Sequence, residues 1–299
     1  MTTDILINNQ WYVLYLAIIM IVSGYARDLR LFAPVYRFII NRVKSKRAVV
    51  ALISGITGIL PITGRVAVSA GFLDTIAPKE KKKRQIFGII DYLSTHHYYI
   101  WSPIEKSVII PMAALGIGYW TFFTTMLPLL VVMFTVIVFY IFYVLQEDQI
   151  EINTSKFDSG QRFFEKNPLT YINWMAIFVL AAIIILGNIT VLYTNEIKSL
   201  VESGVANFAL VSALAFAGSL ALGSSSRFAA ITAICVTVYG IDYLPWFFAI
   251  DYAGYMLSPA HKCLAIGKLY FGTRLIDYYK AIGVLCGALI FTAIVTLIL

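Results

Sequence analysis

Charged side chains are scarce in this sequence of 299 residues: 13% are charged, whereas 60% are hydrophobic. A soluble globular domain carries about 25% charged residues, and about half of its residues are apolar. The mean hydropathy of +0.81 points the same way. This balance argues against a soluble enzyme or a nucleic-acid-binding protein, even though the formal net charge is +7. It is typical of a polytopic membrane protein with room for about six to eight crossings.

Cysteine and histidine are also rare, with three residues of each type. Cys235, Cys263 and Cys286 lie in apolar stretches at unpatterned spacing, which indicates neither a disulfide framework nor a thiolate metal site. His96 and His97 are adjacent and point apart on a helix, so we expect no metal site. The sequence also lacks a paired-carboxylate motif and a Ser-His or Cys-His dyad, and we therefore expect a protein without enzymatic activity.

Long uninterrupted apolar runs are few, and the first follows an N-terminal segment without Lys or Arg. A signal peptide needs a basic n-region, so we interpret this first run as a retained helix. The rest of the apolar sequence comes in shorter pieces broken by Gly, Pro, Ser and charge. The predicted simple spans are residues 11–26, 126–145, 169–191 and 281–299.

Segment 48–77 is divided by glycines and a proline into halves of about 13 residues. Neither half can cross a hydrocarbon core of about 30 Å at about 1.5 Å per residue. Basic loops flank it on both sides, at 27–47 and 79–84, and both are predicted to be cytoplasmic. A re-entrant hairpin that enters and leaves from one face satisfies both observations. Two short tilted spans with one basic loop outside are the alternative.

Segment 86–118 is interrupted by Ser-Pro-Ile-Glu-Lys at 102–106. Proline removes a helix donor, and two charges at membrane depth cannot face lipid at low cost. We therefore predict a broken helix whose loop lines a cavity or is buried in protein. The second half follows the same plan, with a hairpin at 205–240 and a broken helix at 244–272 interrupted by Ser-Pro-Ala-His-Lys.

The order of elements is the same in both halves, and SPIEKS (102–107) aligns with SPAHKC (258–263). We therefore predict an all-α polytopic membrane protein made of two inverted repeats, each with a span, a re-entrant hairpin, a broken helix and a span. The repeats occupy 1–145 and 169–299, joined by a cytoplasmic linker at 146–168. Both termini are expected outside, with the chain in the plasma (inner) membrane.

Paired discontinuous elements are the layout of secondary transporters, whose substrate sites form near the membrane midplane. The predicted breaks gather four cations against Glu105, and we interpret this surplus as an anion site. The alternative is that each arginine binds carbonyl groups or Glu105 while the lysines extend towards the interface. The predicted substrate-binding residues are Thr63, Gly64, Arg65, Ser102, Lys106, Ser224, Ser225, Ser226, Arg227, Ser258 and Lys262.

Intramembrane acids and histidines can relay protons, and H⁺ or Na⁺ is the coupling ion we consider, with no other cofactor. The run 96–99 together with Trp101 has an alternative interpretation as an interfacial belt. We expect most of the 20 Phe, 19 Tyr and 5 Trp to face lipid or the interface. The candidates for proton coupling are Asp91, His96, Glu105, Asp251 and His261.

The runs GILPITGRVAVSAGFLD (58–74), IDYLSTHHYYIWSP (90–103) and IIPMAALGI (109–117) resemble the ion-transporter superfamily. They are most similar to an uncharacterised integral-membrane branch with a Leu-Pro-x-x-Gly hairpin tip. The resemblance implies a secondary carrier of carboxylates or other anions that works by an elevator movement as a homodimer. The Ser-Asn-Thr tip motifs of such carriers, which bind sodium and carboxylate, are absent here.

The sequence thus predicts a secondary transporter that moves a small multivalent anion, such as an organic phosphate, an oxyanion or a di-acid. A translocase for a lipid-linked phosphate such as polyprenyl phosphate is one alternative. A membrane subunit of an envelope-polymer synthesis complex is another. The expected partners are the anion or a lipid-phosphate head group, the bilayer and a second copy of the chain, with no nucleic acid.

Overall fold

The computed structural model describes residues 29–59, 65–152, 208–223 and 225–299, and these residues form helices and no strand. The prediction of an all-helical chain is confirmed for this part of the sequence. The predicted spans 11–26 and 169–191 lie outside it. The helices are α1 (Leu29–Arg42), α2 (Lys46–Ile59), α3 (Arg65–Ile76), α4 (Lys81–Ser94), α5 (Tyr98–Trp101), α6 (Lys106–Leu115), α7 (Tyr119–Phe139), α8 (Phe208–Leu222), α9 (Ser225–Tyr239), α10 (Leu244–Leu257), α11 (Lys262–Phe271) and α12 (Leu275–Ile298).

Two helices in the described ranges are long and apolar enough to cross a membrane. They are Tyr119–Val144, where a π-helical turn extends α7 to 26 residues, and Leu275–Ile298, which is α12 with 24 residues. They pack against each other, and each leaves large apolar side chains exposed. This favours a membrane localisation. The exposed side chains include Val131, Phe134 and Val138 on α7 and Val284, Phe291 and Val295 on α12.

The two Ser-Pro sequences lie at helix breaks with the same backbone conformation. Ser102 and Ser258 each end a helix in an extended conformation, with ψ angles of 123° and 126°. The helices that follow, α6 and α11, both have 10 residues. Both end at a left-handed glycine, Gly116 with φ 66° and Gly272 with φ 64°, a conformation that favours glycine.

A further break separates α4 from α5 at residues 95–97, which the sequence did not predict. The Thr95 hydroxyl donates to the Asp91 carbonyl at 2.6 Å, and His96 Nδ1 lies 2.5 Å from the Tyr92 carbonyl. Side chains that bond to carbonyls four residues earlier compete with the helical hydrogen bonds. Segment 86–118, which was predicted to be broken once at 102–106, is therefore interrupted twice.

The helices of the first hairpin, α2 with 14 residues and α3 with 12, pack side by side. Their lengths of about 21 and 18 Å are short of the roughly 30 Å hydrocarbon core. The second arm of each hairpin packs against the helix that follows the break in the other half of the chain. These contacts join α3 to α11 and α9 to α6.

In each hairpin, the end of the first arm packs directly against a helix break. A Cβ added at Gly58, in the last turn of α2, would clash with the Ser94 carbonyl and approach His97 Nε2 to 2.9 Å. One added at Gly223, just after α8, would lie 2.6 Å from Ser258 Oγ. Glycine at these two positions allows the close approach.

Both ends of the first hairpin bind the chain segment that follows α7. At the start of α2, Lys46 Nζ donates to the Ile150 carbonyl at 3.1 Å. At the end of α3, the Ile76 carbonyl accepts a hydrogen bond of 2.9 Å from the Glu151 amide. The two ends of the hairpin therefore lie on the same side of the molecule.

The basic segment 79–84 lies on this same side. Lys83 forms ion pairs with Glu80 at 3.3 Å and Asp148 at 3.7 Å, and the hydrogen bond to Glu80 is the main cause that raises the pKa of Lys83. Arg84 forms an ion pair with Asp74 and donates to the Tyr270 carbonyl at 2.9 Å. Basic side chains thus line the base of the hairpin and its contact with the end of α11.

Candidate functional site

Arg65, the first residue of α3, is buried and contacts both breaks that flank α5. Its Nε donates to the Thr95 carbonyl at 3.0 Å, and its Nη1 lies 3.6 Å from Glu105 Oε2. The guanidinium carbon lies 4.2 Å from the ring centre of Tyr98 and 4.7 Å from that of Tyr99. Within the described residues, Nη2 has no hydrogen-bond partner.

These contacts combine the two interpretations of Arg65 that the sequence left open. The bonds to Thr95 and Glu105 attach the start of α3 to the broken helix, as the structural interpretation requires. A guanidinium carries five donors in a planar fork, however, and one nitrogen of this buried group has no hydrogen-bond partner among the described residues. The group can therefore both fix the hairpin and present a donor to a ligand.

The other predicted binding residues differ in burial, and several lie outside the described part. Ser102 and Ser258 are buried at the two breaks. Lys106 and Lys262 begin α6 and α11, where Lys106 is half-buried and Lys262 is exposed. The remaining positions fall outside the described residues: Thr63, Gly64 and Ser224 entirely, and Ser225, Ser226 and Arg227 with respect to their side chains.

Two of the predicted proton-coupling residues, His96 and His261, meet across the two halves of the chain. Their Nε2 atoms are 3.1 Å apart. His96 Nδ1 lies 2.5 Å from the Tyr92 carbonyl, and His261 Nδ1 lies 3.1 Å from the Tyr255 carbonyl. A carbonyl oxygen can only accept, so both Nδ1 atoms carry hydrogen. In neutral rings, the two Nε2 atoms are thus the nitrogens that carry a lone pair.

The thiol of Cys263 lies beside this histidine pair. Sγ of Cys263 and ring nitrogens of His96 and His261 all lie within 4.8 Å of one another. The sequence pattern did not indicate this cluster, because His96 and His97 are neighbours that point apart on a helix, whereas 165 residues separate His96 from His261. The His-x-Cys sequence at the start of α11 is the signal that could have indicated half of it.

Tyrosine hydroxyls from each half of the chain donate hydrogen bonds to carbonyl groups near the helix breaks of the other half. Tyr92 donates to the Met256 carbonyl at 2.9 Å, and Tyr252 donates to the His96 carbonyl at 3.1 Å. Both tyrosines are almost completely buried. The Met256 carbonyl thereby gains a partner where α10 ends, and the His96 carbonyl, which also accepts from the Tyr99 amide, gains a second one.

The expectation that the aromatic residues chiefly face lipid was wrong for the centre of the molecule. The largest fully buried side chains of the described residues are tyrosines and phenylalanines. The interfacial-belt interpretation of the run 96–99 was also wrong, since His96, His97 and Tyr98 are at most 2% exposed. Sequence patterning missed this because an aromatic side chain suits both a lipid-facing surface and a core.

The two predicted aspartates have different surroundings. Asp251 on α10 accepts hydrogen bonds from Ser219 on α8 and from Thr232 on α9, the latter at 2.7 Å. It therefore joins both arms of the second hairpin to α10. Asp91 on α4 is buried, and its Oδ1 has no hydrogen-bond partner among the described residues. A carboxyl group in such a place is available for a ligand or a proton.

In a comparison with protein families, the family described as "Protein of unknown function (DUF401)" matches residues 1–203. No curated protein and no solved structure matches the chain. The family match includes the first hairpin, the first broken helix and α7, which together carry Arg65, Glu105 and His96. Because it spans more than half of the sequence, the chain belongs to the DUF401 family.

Proposed function

We propose that this protein is a secondary transporter of a small multivalent anion, and that Arg65 binds the anion at the break between α5 and α6. The observation that carries the proposal is the buried Arg65 guanidinium, whose Nη2 has no partner among the described residues. An organic phosphate, an inorganic oxyanion or a di-acid offers the paired oxygens that a guanidinium fork binds.

Electrostatics supports an anionic ligand at this position. Burying a cation is costly unless its charge is compensated and its donors are bonded. Glu105 supplies one carboxylate at 3.6 Å, a distance longer than a good hydrogen bond. Lys106 and Lys262 start helices next to the two breaks and add positive charge together with the helix N-termini. An anion that bridges Arg65 and these N-termini would complete the compensation.

The proposal includes two inverted repeats, residues 1–145 and 169–299. Support comes from the matched conformations at Ser102 and Ser258 and from the left-handed glycines that end α6 and α11. The reciprocal packing of α3 on α11 and of α9 on α6 is what a pseudo-two-fold axis between the repeats would produce. Transporters with such repeats bind substrate where the discontinuous helices meet.

The membrane orientation is also part of the proposal. Lys46, Lys83 and Arg84 gather at the base of the first hairpin, which the positive-inside rule assigns to the cytoplasm. The hairpin would then enter from the cytoplasm, with Arg65 at its deep end. In an elevator-like movement, hairpins and broken helices would move together past α7, α12 and a second copy of the chain. Glu105, His96, His261, Asp91 and Asp251 remain the candidates for proton coupling.

The test is uptake of labelled anions into proteoliposomes, with Arg65→Lys as the key variant and Arg84→Lys as its matched control. Arg84 also binds a carboxylate, a carbonyl and an aromatic ring, but at the base of the hairpin. We expect Arg65→Lys to lower uptake at least about tenfold, roughly 1.4 kcal/mol of lost binding, because lysine keeps the charge and loses the fork. Equal uptake by the two variants would contradict the assignment.

A lipid-linked phosphate is the second candidate substrate, and one surface feature favours it. A groove between the start of α4 and the end of α11 is lined by Lys81, Arg84 and Lys268, next to Leu269, which is 82% exposed. Basic groups beside an exposed apolar side chain suit a phosphate head group whose chain stays in the bilayer. Flipping of a fluorescent polyprenyl phosphate in vesicles, without uptake of soluble anions, would favour this substrate.

A further inference from the structure

We propose that His96, His261 and Cys263 form a binding site for a thiophilic transition-metal ion, Zn²⁺ or Cu⁺. The site lies where the turn after α4 meets the start of α11, and so joins the two halves of the chain. It is a different site from the one assigned to the anion at Arg65. The inference depends on the side-chain geometry and not on the identity of the transported substrate, and a metal bound here would leave Asp91, Glu105 and Asp251 as the candidates for proton coupling.

The hydrogen bonds of the two histidines define which nitrogens are free. Both Nδ1 atoms lie next to backbone carbonyls, of Tyr92 and Tyr255, and must donate to them. The Tyr92 hydroxyl is 3.2 Å from His261 Nδ1 and gives its own hydrogen to the Met256 carbonyl. It therefore accepts from His261 and supports the same tautomer.

In neutral rings with these tautomers, two lone pairs face each other across 3.1 Å. Such an arrangement is repulsive unless an electrophile lies between or beside the two nitrogens. A metal ion and a shared proton are the two electrophiles that imidazole accepts. The geometry therefore suits a positively charged partner at the His96–His261 pair.

The distances suit a metal. Two imidazole nitrogens bound to tetrahedral Zn²⁺ at about 2.0–2.1 Å are roughly 3.3 Å apart. The observed separation is 3.1 Å, and Cys263 Sγ lies within 4.8 Å of one ring nitrogen of each histidine. Metal binding would draw the thiol closer to the two nitrogens. Hydrogen bonds from Nδ1 to backbone carbonyls are also the usual outer contacts of metal-binding histidines.

The thiol favours a metal over a shared proton. A proton between two imidazoles needs no third group, whereas thiolate with imidazole is a donor set that Zn²⁺ and Cu⁺ prefer. A thiolate also lowers the charge of the buried site, leaving Cu⁺ neutral and Zn²⁺ with one positive charge. The neighbouring Tyr99 ring contacts both His96 and the Arg65 guanidinium.

The test uses the full chain, purified in detergent and stripped of metal with a chelator. Zn²⁺ is titrated by calorimetry, Cu⁺ by competition with a coloured chelator, and Co²⁺ by its thiolate charge-transfer absorption. The variants are Cys263→Ser and His261→Gln, with Cys286→Ser and His97→Gln as controls. Cys286 and His97 are buried residues of the same types outside the cluster, so they report any general effect of the substitution.

We expect the wild type to bind one equivalent of Zn²⁺ or Cu⁺ and to show the Co²⁺–thiolate band. Cys263→Ser should abolish the band, and both site variants should bind more than about tenfold more weakly than the two controls. Metal should also raise the Tm of the wild type and the controls but not that of the site variants. Absence of stoichiometric binding by the wild type, or equal losses in Cys286→Ser, would overturn the proposal.

Discussion

The hydroxyl groups of Tyr255 and Tyr99 are hydrogen-bonded to each other at 3.1 Å, and Tyr255 is the donor. The two residues are 156 positions apart, and the same shift places Ser102 on Ser258 in the aligned Ser-Pro segments. A residue that contacts its own counterpart must lie close to any axis that relates the two copies. This pair is therefore the position at which the proposed repeats would meet.

The Tyr99–Tyr255 bond can be measured by a double-mutant cycle. We expect Tyr255→Phe and Tyr99→Phe each to lower stability by about 1 kcal/mol, and the double variant to lose less than the sum. The reason is that the second substitution removes a hydroxyl that the first has already left unpaired. Thermal unfolding in detergent provides the readout, and strict additivity would show that the two hydroxyls do not interact.

The close approach of α2 to the first broken helix predicts that alanine substitutions at two glycines of α2 change stability in opposite directions. Gly58→Ala should destabilise the protein by about 1–3 kcal/mol, because its Cβ would meet the Ser94 carbonyl. At Gly55 there is nothing within 4 Å, so Gly55→Ala should stabilise α2 by up to about 1 kcal/mol. Thermal unfolding of both variants measures the difference, and equal shifts would contradict the packing.

The left-handed conformation at the end of α6 predicts that alanine substitutions at Gly116 and at Gly118 differ in their effect on stability. Gly116 has φ 66°, whereas Gly118 has φ −77°, and neither has a neighbour within 4 Å of an added Cβ. Gly116→Ala should therefore cost about 1 kcal/mol of backbone strain, whereas Gly118→Ala should be nearly neutral. A cost at Gly118 as large as that at Gly116 would exclude this explanation. Chemical or thermal unfolding is sufficient to decide.

Removal of the Asp251 carboxyl group should loosen the second hairpin. Asp251→Ala leaves the hydroxyls of Ser219 and Thr232 without their acceptor, at about 1–3 kcal/mol for each buried group. The second hairpin should then become more sensitive to protease at 208–239, since it loses two of its hydrogen bonds to α10 and keeps the one from Trp246 to Ser212. Asp251→Asn keeps an acceptor and should protect the hairpin better. Identical cleavage of wild type and Asp251→Ala would contradict this role.

Local chemistry allowed part of the fold to be predicted. Proline at 103 and 259 follows the end of a helix, and the breaks at Ser102 and Ser258 fall where the missing donor and the nearby charges require them. The long apolar runs that form α7 and α12 were recognisable in the same way, because length and hydropathy alone indicate a helix able to span a membrane. The turn at 95–97 was not predictable in this way, because threonine and histidine also occur inside helices.

The candidate site was predictable only as a set of residues. Arg65 and Glu105 were candidates from their charge in apolar sequence, and the structure brings them together. The meeting of His96 with His261 and Cys263 depends instead on how α4 packs against α11. No pattern in a single sequence encodes a contact between such distant segments, so this cluster required the three-dimensional arrangement.

The hydrogen bonds at the base of the first hairpin restrict how it can move. Lys46 and Ile76, at its two ends, are bonded to the neighbouring residues Ile150 and Glu151. The arms α2 and α3 therefore cannot slide past each other or separate at that end without breaking these bonds. The hairpin is held at its base by these bonds and at the opposite end by the continuous chain that leads into Arg65, so its two arms would move together as one body.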